Sequence, residues 1–168
     1  MATPRLRLPL VVFAVLIVQT CVLQRIRIDG AHADSLLLVA IAAGIAGGAE
    51  AGALAGFGAG LVADLFLQTP LGLSALTFCV IGFAVGALQS SMLRTTAWII
   101  PLTAFMASAA GVALFAVAGA LVGQPDLVGP RLPVVAAVVG ALNAVIAIPV
   151  AGLIRWAMVD GGERAYAR

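Results

Sequence analysis

The chain has no lysine; its nine basic residues are all arginine, and it holds one histidine, one tyrosine and two cysteines in 168 residues. Only 10% of the residues are charged. Together these shortages exclude whole classes of function. With so little charge there is not enough polar surface to cover a water-soluble globule. A single histidine and two distant cysteines, Cys21 and Cys79, leave no spacing that suits a metal centre, and both cysteines read as small core residues. No glycine-rich phosphate loop follows a strand, and no nucleophile pairs with a base anywhere in the sequence. The formal net charge of +2 carries no basic tract of the kind nucleic acid requires, so no nucleic-acid partner, cofactor or metal is expected.

What the sequence has in abundance is apolar surface. Hydrophobic residues make up 63% of the chain and the mean hydropathy is +1.18, which points to a polytopic membrane protein in contact with the lipid bilayer. A spanning helix needs about 20 apolar residues, and six candidates emerge within one membrane domain: residues 8–23, 35–49, 51–67, 71–89, 98–122 and 132–158. The second and third are short and are separated only by Glu50. They are expected to form a tight hairpin, because a turn at Glu50 returns the carboxylate to water; the other arrangement is one tilted span with a re-entrant piece and five crossings.

Arginine placement orients the six-span arrangement. One side holds Arg5, Arg7, Arg94, Arg155, Arg164 and Arg168, the other Arg25, Arg27 and Arg131. The positive-inside rule then places both termini in the cytoplasm. Arg5 and Arg7 ahead of an apolar run, with Ala31-His32-Ala33 after it, imitate a cleavable signal. The long run and the charges Arg25, Arg27 and Asp29 favour an uncleaved signal anchor. Trp98 and Trp156 read as interface anchors, and Pro101 and Pro149 as helix starts or kinks.

Small residues recur at four-residue spacing: Gly44 and Gly48, then Gly52, Gly56 and Gly60, then Gly82 and Gly86. This pattern lets helix backbones approach closely where lipid offers no hydrophobic drive to association. Its first reading is packing inside the bundle, its second a groove that receives a partner. The third candidate helix continues this ridge to Asp64. Four-residue steps wind around a helix, so Phe57 and Asp64, seven apart, are expected to share a face more closely. Asp64 sits in a run otherwise free of charge from Ala51 to Ser91, where a central aspartate costs roughly 2.5 to 3.5 kcal/mol. Three roles are open to it. It caps turn amides near Thr69 to Gly72 or pairs with Arg25, Arg27 or Arg131; it touches a partner's membrane segment; or it belongs to a proton or ion relay. The relay is disfavoured because no second acid lies in another candidate span. Asn143, midway along the sixth, reads as an interhelical hydrogen-bonding group.

The run Gly56-Phe57-x-x-Gly60-Leu61-x-x-Asp64-Leu65, followed by Thr69-Pro70-Leu71-Gly72-Leu73-x-Ala75-Leu76, resembles the motif region of the MreD family of rod shape-determining membrane proteins. Chain size, the arginines before the first anchor and the near absence of soluble loops are similar as well. The resemblance implies an all-α, six-helix transmembrane bundle like the substrate-binding subunit of energy-coupling-factor transporters. It implies no catalytic activity, and a scaffold role in cell-wall elongation with an MreC-like bitopic partner. Through that partner it implies a link to an MreB-type cytoskeleton, a RodA-type glycosyltransferase and a class B penicillin-binding protein. Gly52, Gly56, Phe57, Gly60, Leu61, Asp64, Pro70 and Gly72 are the candidate motif and partner-contact residues. The tail from Val159 to Arg168 is too small to hold a soluble filament by area alone. The rival reading is a vitamin-binding transporter subunit, against which stands the lack of Tyr, Trp or Asn in the outer helix halves.

Overall fold

A computed structural model describes residues 34–67, 71–91, 98–123 and 128–159. They form four helices: α1 (Ser35–Leu67), α2 (Leu73–Ser91), α3 (Ile99–Leu121) and α4 (Leu132–Val159). By length along the chain and composition α1, α3 and α4 are each long and apolar enough to cross a membrane, α1 being counted across both of its arms, and α2 contains a shorter apolar stretch, Leu73–Gln89. The expected six-helix bundle of the energy-coupling-factor type is therefore corrected to four helices among the described residues. The candidate span 8–23 lies outside them. Candidates 35–49 and 51–67 both fall within α1, whose backbone is helical on either side of an interruption of a single non-helical residue.

That interruption is Gly48, not Glu50. Its φ of 80° and ψ of −171° fall in a region open essentially to glycine alone. The chain reverses there. In a straight helix, residues 44 and 52 would lie about 12 Å apart, yet a methyl group on Gly52 would come within 2.8 Å of the Cα of Gly44. Thus α1 is two antiparallel arms, about 13 residues before Gly48 and about 19 after it, or ~20 Å and ~28 Å long. Glu50 lies exposed just past the turn.

The first arm is the most enclosed of the described segments. Every residue from Leu36 to Ala43 is 2% exposed or less, as a helix apolar on all sides requires. On one side Leu38, Val39, Ala42 and Ala43 pack with Ala55 of the second arm, Ala104 of α3 and Ala147, Val150, Ala151 and Ile154 of α4. On the other, Leu36, Leu37, Ala40 and Ile41 meet Ala59 and Ala63 of the second arm, Phe78, Ile81 and Val85 of α2, and Ala107 of α3. Alanine dominates these surfaces, so the axes lie close and the van der Waals contact is continuous.

Two prolines fit their helices for different reasons. Pro101 stands in the first turn of α3, where its missing amide would have had no intrahelical partner. Pro149 lies inside α4 and is exposed; it removes one hydrogen bond to the carbonyl four residues earlier. Trp98 stands highly exposed at the start of α3, where an amphipathic ring suits a membrane interface.

Candidate functional site

The motif residues meet where the second arm of α1 runs antiparallel to α2. Each step along the α1 row is matched by a backbone segment of α2. A methyl group on Gly52 would lie 2.7 Å from the carbonyl carbon of Gly82; one on Gly56, 2.6 Å from that of Phe78; one on Gly60, 2.5 Å from the amide nitrogen of Ala75. Real Cβ atoms essentially never approach so closely, so only glycine permits this crossing. The contact continues past the chain reversal, where a methyl group on Gly44 would sit 2.7 Å from the carbonyl oxygen of Gly82 and one on Gly86 would sit 2.5 Å from that of Gly48. Gly44, Gly52, Gly82 and Gly86 thus form one knot at which three helical segments touch through their backbones.

The next step of the same row is Asp64, 3% exposed. Its carboxylate accepts hydrogen bonds from three amides of the next element: Gly72 N to Oδ2 at 2.8 Å, Ser74 N to Oδ1 at 3.1 Å and Ala75 N to Oδ2 at 3.3 Å. These amides open α2, whose first turn has donors with no intrahelical partner. Ordinarily the residue just before a helix supplies the cap. Here that residue is Gly72, with φ +97°, which has the turn conformation but no side chain. Asp64 supplies the missing acceptor from the preceding helix, and its negative charge meets the positive end of the α2 dipole. Of the roles open to Asp64 in the sequence, the geometry shows capping, displaced slightly from Thr69–Gly72 into the first turn of α2.

The remaining motif residues separate. Phe57 and Leu61 point outward, 50% and 37% exposed. Leu54 and Leu65 are exposed on the same arm, and the spacing 54, 57, 61, 65 makes one apolar stripe. Phe57 and Asp64, although seven residues apart on one helix, differ in burial: the ring is half exposed and the carboxylate is enclosed. The row that packs is the four-residue one through Gly52, Gly56, Gly60 and Asp64, because α2 and the turn before it lie over it. Pro70 is outside the described residues. Cys79 is free and part-buried, and Cys21 lies outside. Among the described residues no three of His, Cys, Asp and Glu come together.

A second polar cluster was legible only in part. Asp34 caps α1: its Oδ1 accepts from the amide of Leu37 at 3.1 Å and its carbonyl from that of Leu38 at 3.1 Å. Asn143 of α4 donates from Nδ2 to the Asp34 carbonyl at 3.2 Å and to Ser108 Oγ of α3 at 2.9 Å. The interhelical role expected of Asn143 is what the structure shows. Asp34 was not expected there. The signal available was Asp34-Ser35 directly ahead of an apolar run, which is a helix-start signature.

Both clusters do the same chemistry: they satisfy helix-terminal amides and join helices through buried hydrogen bonds. The α1 to α2 crossing is a rigid joint, with an apolar stripe left on its outer face. No curated protein and no solved structure matches the chain. The rod shape-determining protein MreD family matches residues 3–155, nearly the whole length, including every residue of the joint. This chain belongs to the MreD family of rod shape-determining membrane proteins.

Proposed function

We propose that this chain is a non-catalytic scaffold of the cell-wall elongation machinery, and that it binds the membrane segment of an MreC-like bitopic protein along the stripe Leu54, Phe57, Leu61 and Leu65. The family is part of the MreBCD shape complex, which supports a partner of this kind. The observation that carries the choice of surface is the division of the motif by exposure. The glycines and Asp64 are turned toward α2, whereas Phe57 and Leu61 of the same motif face outward with two further leucines in line. An apolar helix laid against this stripe would meet a backbone held rigid from behind by the glycine crossing, so little ordering is required on binding. The chain is then a multi-pass protein of the bacterial cytoplasmic membrane with both termini inside. Links to an MreB-type cytoskeleton, a RodA-type glycosyltransferase and a class B penicillin-binding protein run through the bitopic partner.

The test is co-purification from detergent with an MreC-like partner. The double variant Phe57→Ala, Leu61→Ala is expected to fold, since both side chains are substantially exposed, and to recover several-fold less partner. Leu102→Ala with Met106→Ala, on the exposed face of α3, is expected to recover as much as the parent. Equal recovery by both double variants would remove the stripe as the binding surface. Loss of rod shape without loss of partner would assign the stripe to another member of the machinery.

A further inference from the structure

The start of α1 lies well inside the bundle rather than at its end. Ser108 is about 14 Å from the beginning of α3, and Asn143 is about 17 Å from the beginning of α4, at 1.5 Å per residue. Asn143 joins both Ser108 and the Asp34 carbonyl, so the first turn of α1 stands level with the middle of its neighbours. Two buried oxygens are found there. Ser35 Oγ, in a residue 3% exposed, and Asn143 Oδ1, in a residue 0% exposed, have no hydrogen-bond partner among the described residues.

Reversing the Asn143 amide does not remove the problem. The Asp34 carbonyl can only accept, so Nδ2 must face it and Oδ1 must face elsewhere. The peptide unit that carries this carbonyl is the one that joins Asp34 to Ser35, so one unsatisfied oxygen belongs to a residue of that unit and the other to the amide bonded to it. Each would cost free energy in an apolar surrounding unless a partner is supplied. The chemistry of the two oxygens restricts what that partner is. An amide oxygen needs a donor, and a hydroxyl that donates needs an acceptor. One small neutral group able both to donate and to accept serves the two together.

We propose that this junction is a binding site for one water molecule, which accepts from the Ser35 hydroxyl and donates to Asn143 Oδ1. The water completes a chain of polar contacts from α1 through α4 to Ser108 of α3, at a level where lipid surrounds the bundle. Asp34 is only part-buried, which gives the site a polar margin. A buried water of this type makes two to four hydrogen bonds and is retained as part of the structure.

Asn143 is the chain's one asparagine, so asparagine-selective ¹³C labelling yields a single side-chain Cγ signal. The full chain in lipid bilayers is examined by water-edited solid-state NMR. Magnetisation from water is expected to reach Asn143 Cγ at short mixing times, while in a second sample ¹³C-labelled at leucine and isoleucine the buried side-chain carbons of Leu37 and Ile41 receive none. In Ser35→Ala, where the substituted side chain makes no hydrogen bond to the described residues, the transfer is expected to fall several-fold with the Cγ shift still that of a folded chain. Absence of transfer in the parent overturns the proposal. Transfer that is unchanged in Ser35→Ala overturns it equally, because the water would not bridge the two oxygens.

Discussion

Asp64 caps a helix that begins nine residues after it: its Oδ2 accepts from the amide of Gly72, the residue before that helix, at 2.8 Å. The glycine provides a left-handed turn that a side chain would strain, and the aspartate provides the acceptor that glycine lacks. Neither residue does both jobs. Their pairing fixes the position of α2 on α1 at the end of the glycine row, so register along the whole crossing is set by one charged side chain.

Asp64→Ala is accordingly expected to lower stability by about 2 kcal/mol, from the lost cap and the amides left without it. Asp64→Asn keeps an acceptor oxygen and should lose about half as much. Reversible unfolding in mixed micelles reads both. Equal stability of Asp64→Ala and the parent would show that water reaches the first turn of α2.

Glycine substitutions should divide by contact rather than by helix propensity. Gly82→Ala places a methyl group against the backbone of Gly52 and is expected to cost about 2 kcal/mol or more. Gly58 and Gly152 have open space where a Cβ would stand, so Gly58→Ala and Gly152→Ala should be neutral or stabilising by about 0.5 to 1 kcal/mol. The same unfolding measurement separates the two groups. A uniform response would contradict the close backbone approach.

Gly48→Ala tests backbone conformation with packing held apart, because nothing lies within 4 Å of the added methyl group. The cost is expected to be about 1 to 3 kcal/mol. Cross-linking reports the shape directly. With the native cysteines replaced, Leu37→Cys and Ala59→Cys should join through a short bifunctional reagent, since both side chains belong to one core cluster. A continuous helix would hold them about 33 Å apart and no product would form.

Asn143→Leu removes two described hydrogen bonds and should destabilise by about 1 to 2 kcal/mol, whereas Ser108→Ala removes one and should cost about 0.6 kcal/mol, the mean for interhelical bonds in membranes. Combined in one chain, the two losses should be less than additive, as expected of groups that share a bond. Strict additivity would show that the pair does not interact.

The ends of the later helices were legible because polar residues bound each apolar run. Residues 71–89, 98–122 and 132–158 became Leu73–Ser91, Ile99–Leu121 and Leu132–Val159. The reversal near Glu50 was legible too, since the carboxylate had to reach water. Its hinge was not, because Gly47 and Gly48 look alike until φ is known. The four-residue glycine row pointed correctly to close packing. Its partner, α2, could not be read from α1 alone. The outward direction of Phe57 was hidden for another reason: periodicity places residues around a helix, but the packing of α2 determines which side is covered. Depth was least legible of all. Hydropathy measures how long an apolar run is, not where along its neighbours it begins, so the span 35–49 carried no sign of how deep its first residues lie.

The central position of the first α1 arm has a consequence for the order of assembly. It is about 20 Å long, too short to cross a bilayer alone, and it precedes in synthesis every described segment that will enclose it. The hairpin with the second arm gives it company early. The bond from Asn143 to Asp34 spans 109 positions of sequence and must wait for α4. The innermost helix is therefore made early and enclosed late, and any change that slows delivery of α4 leaves the heart of the bundle open to lipid.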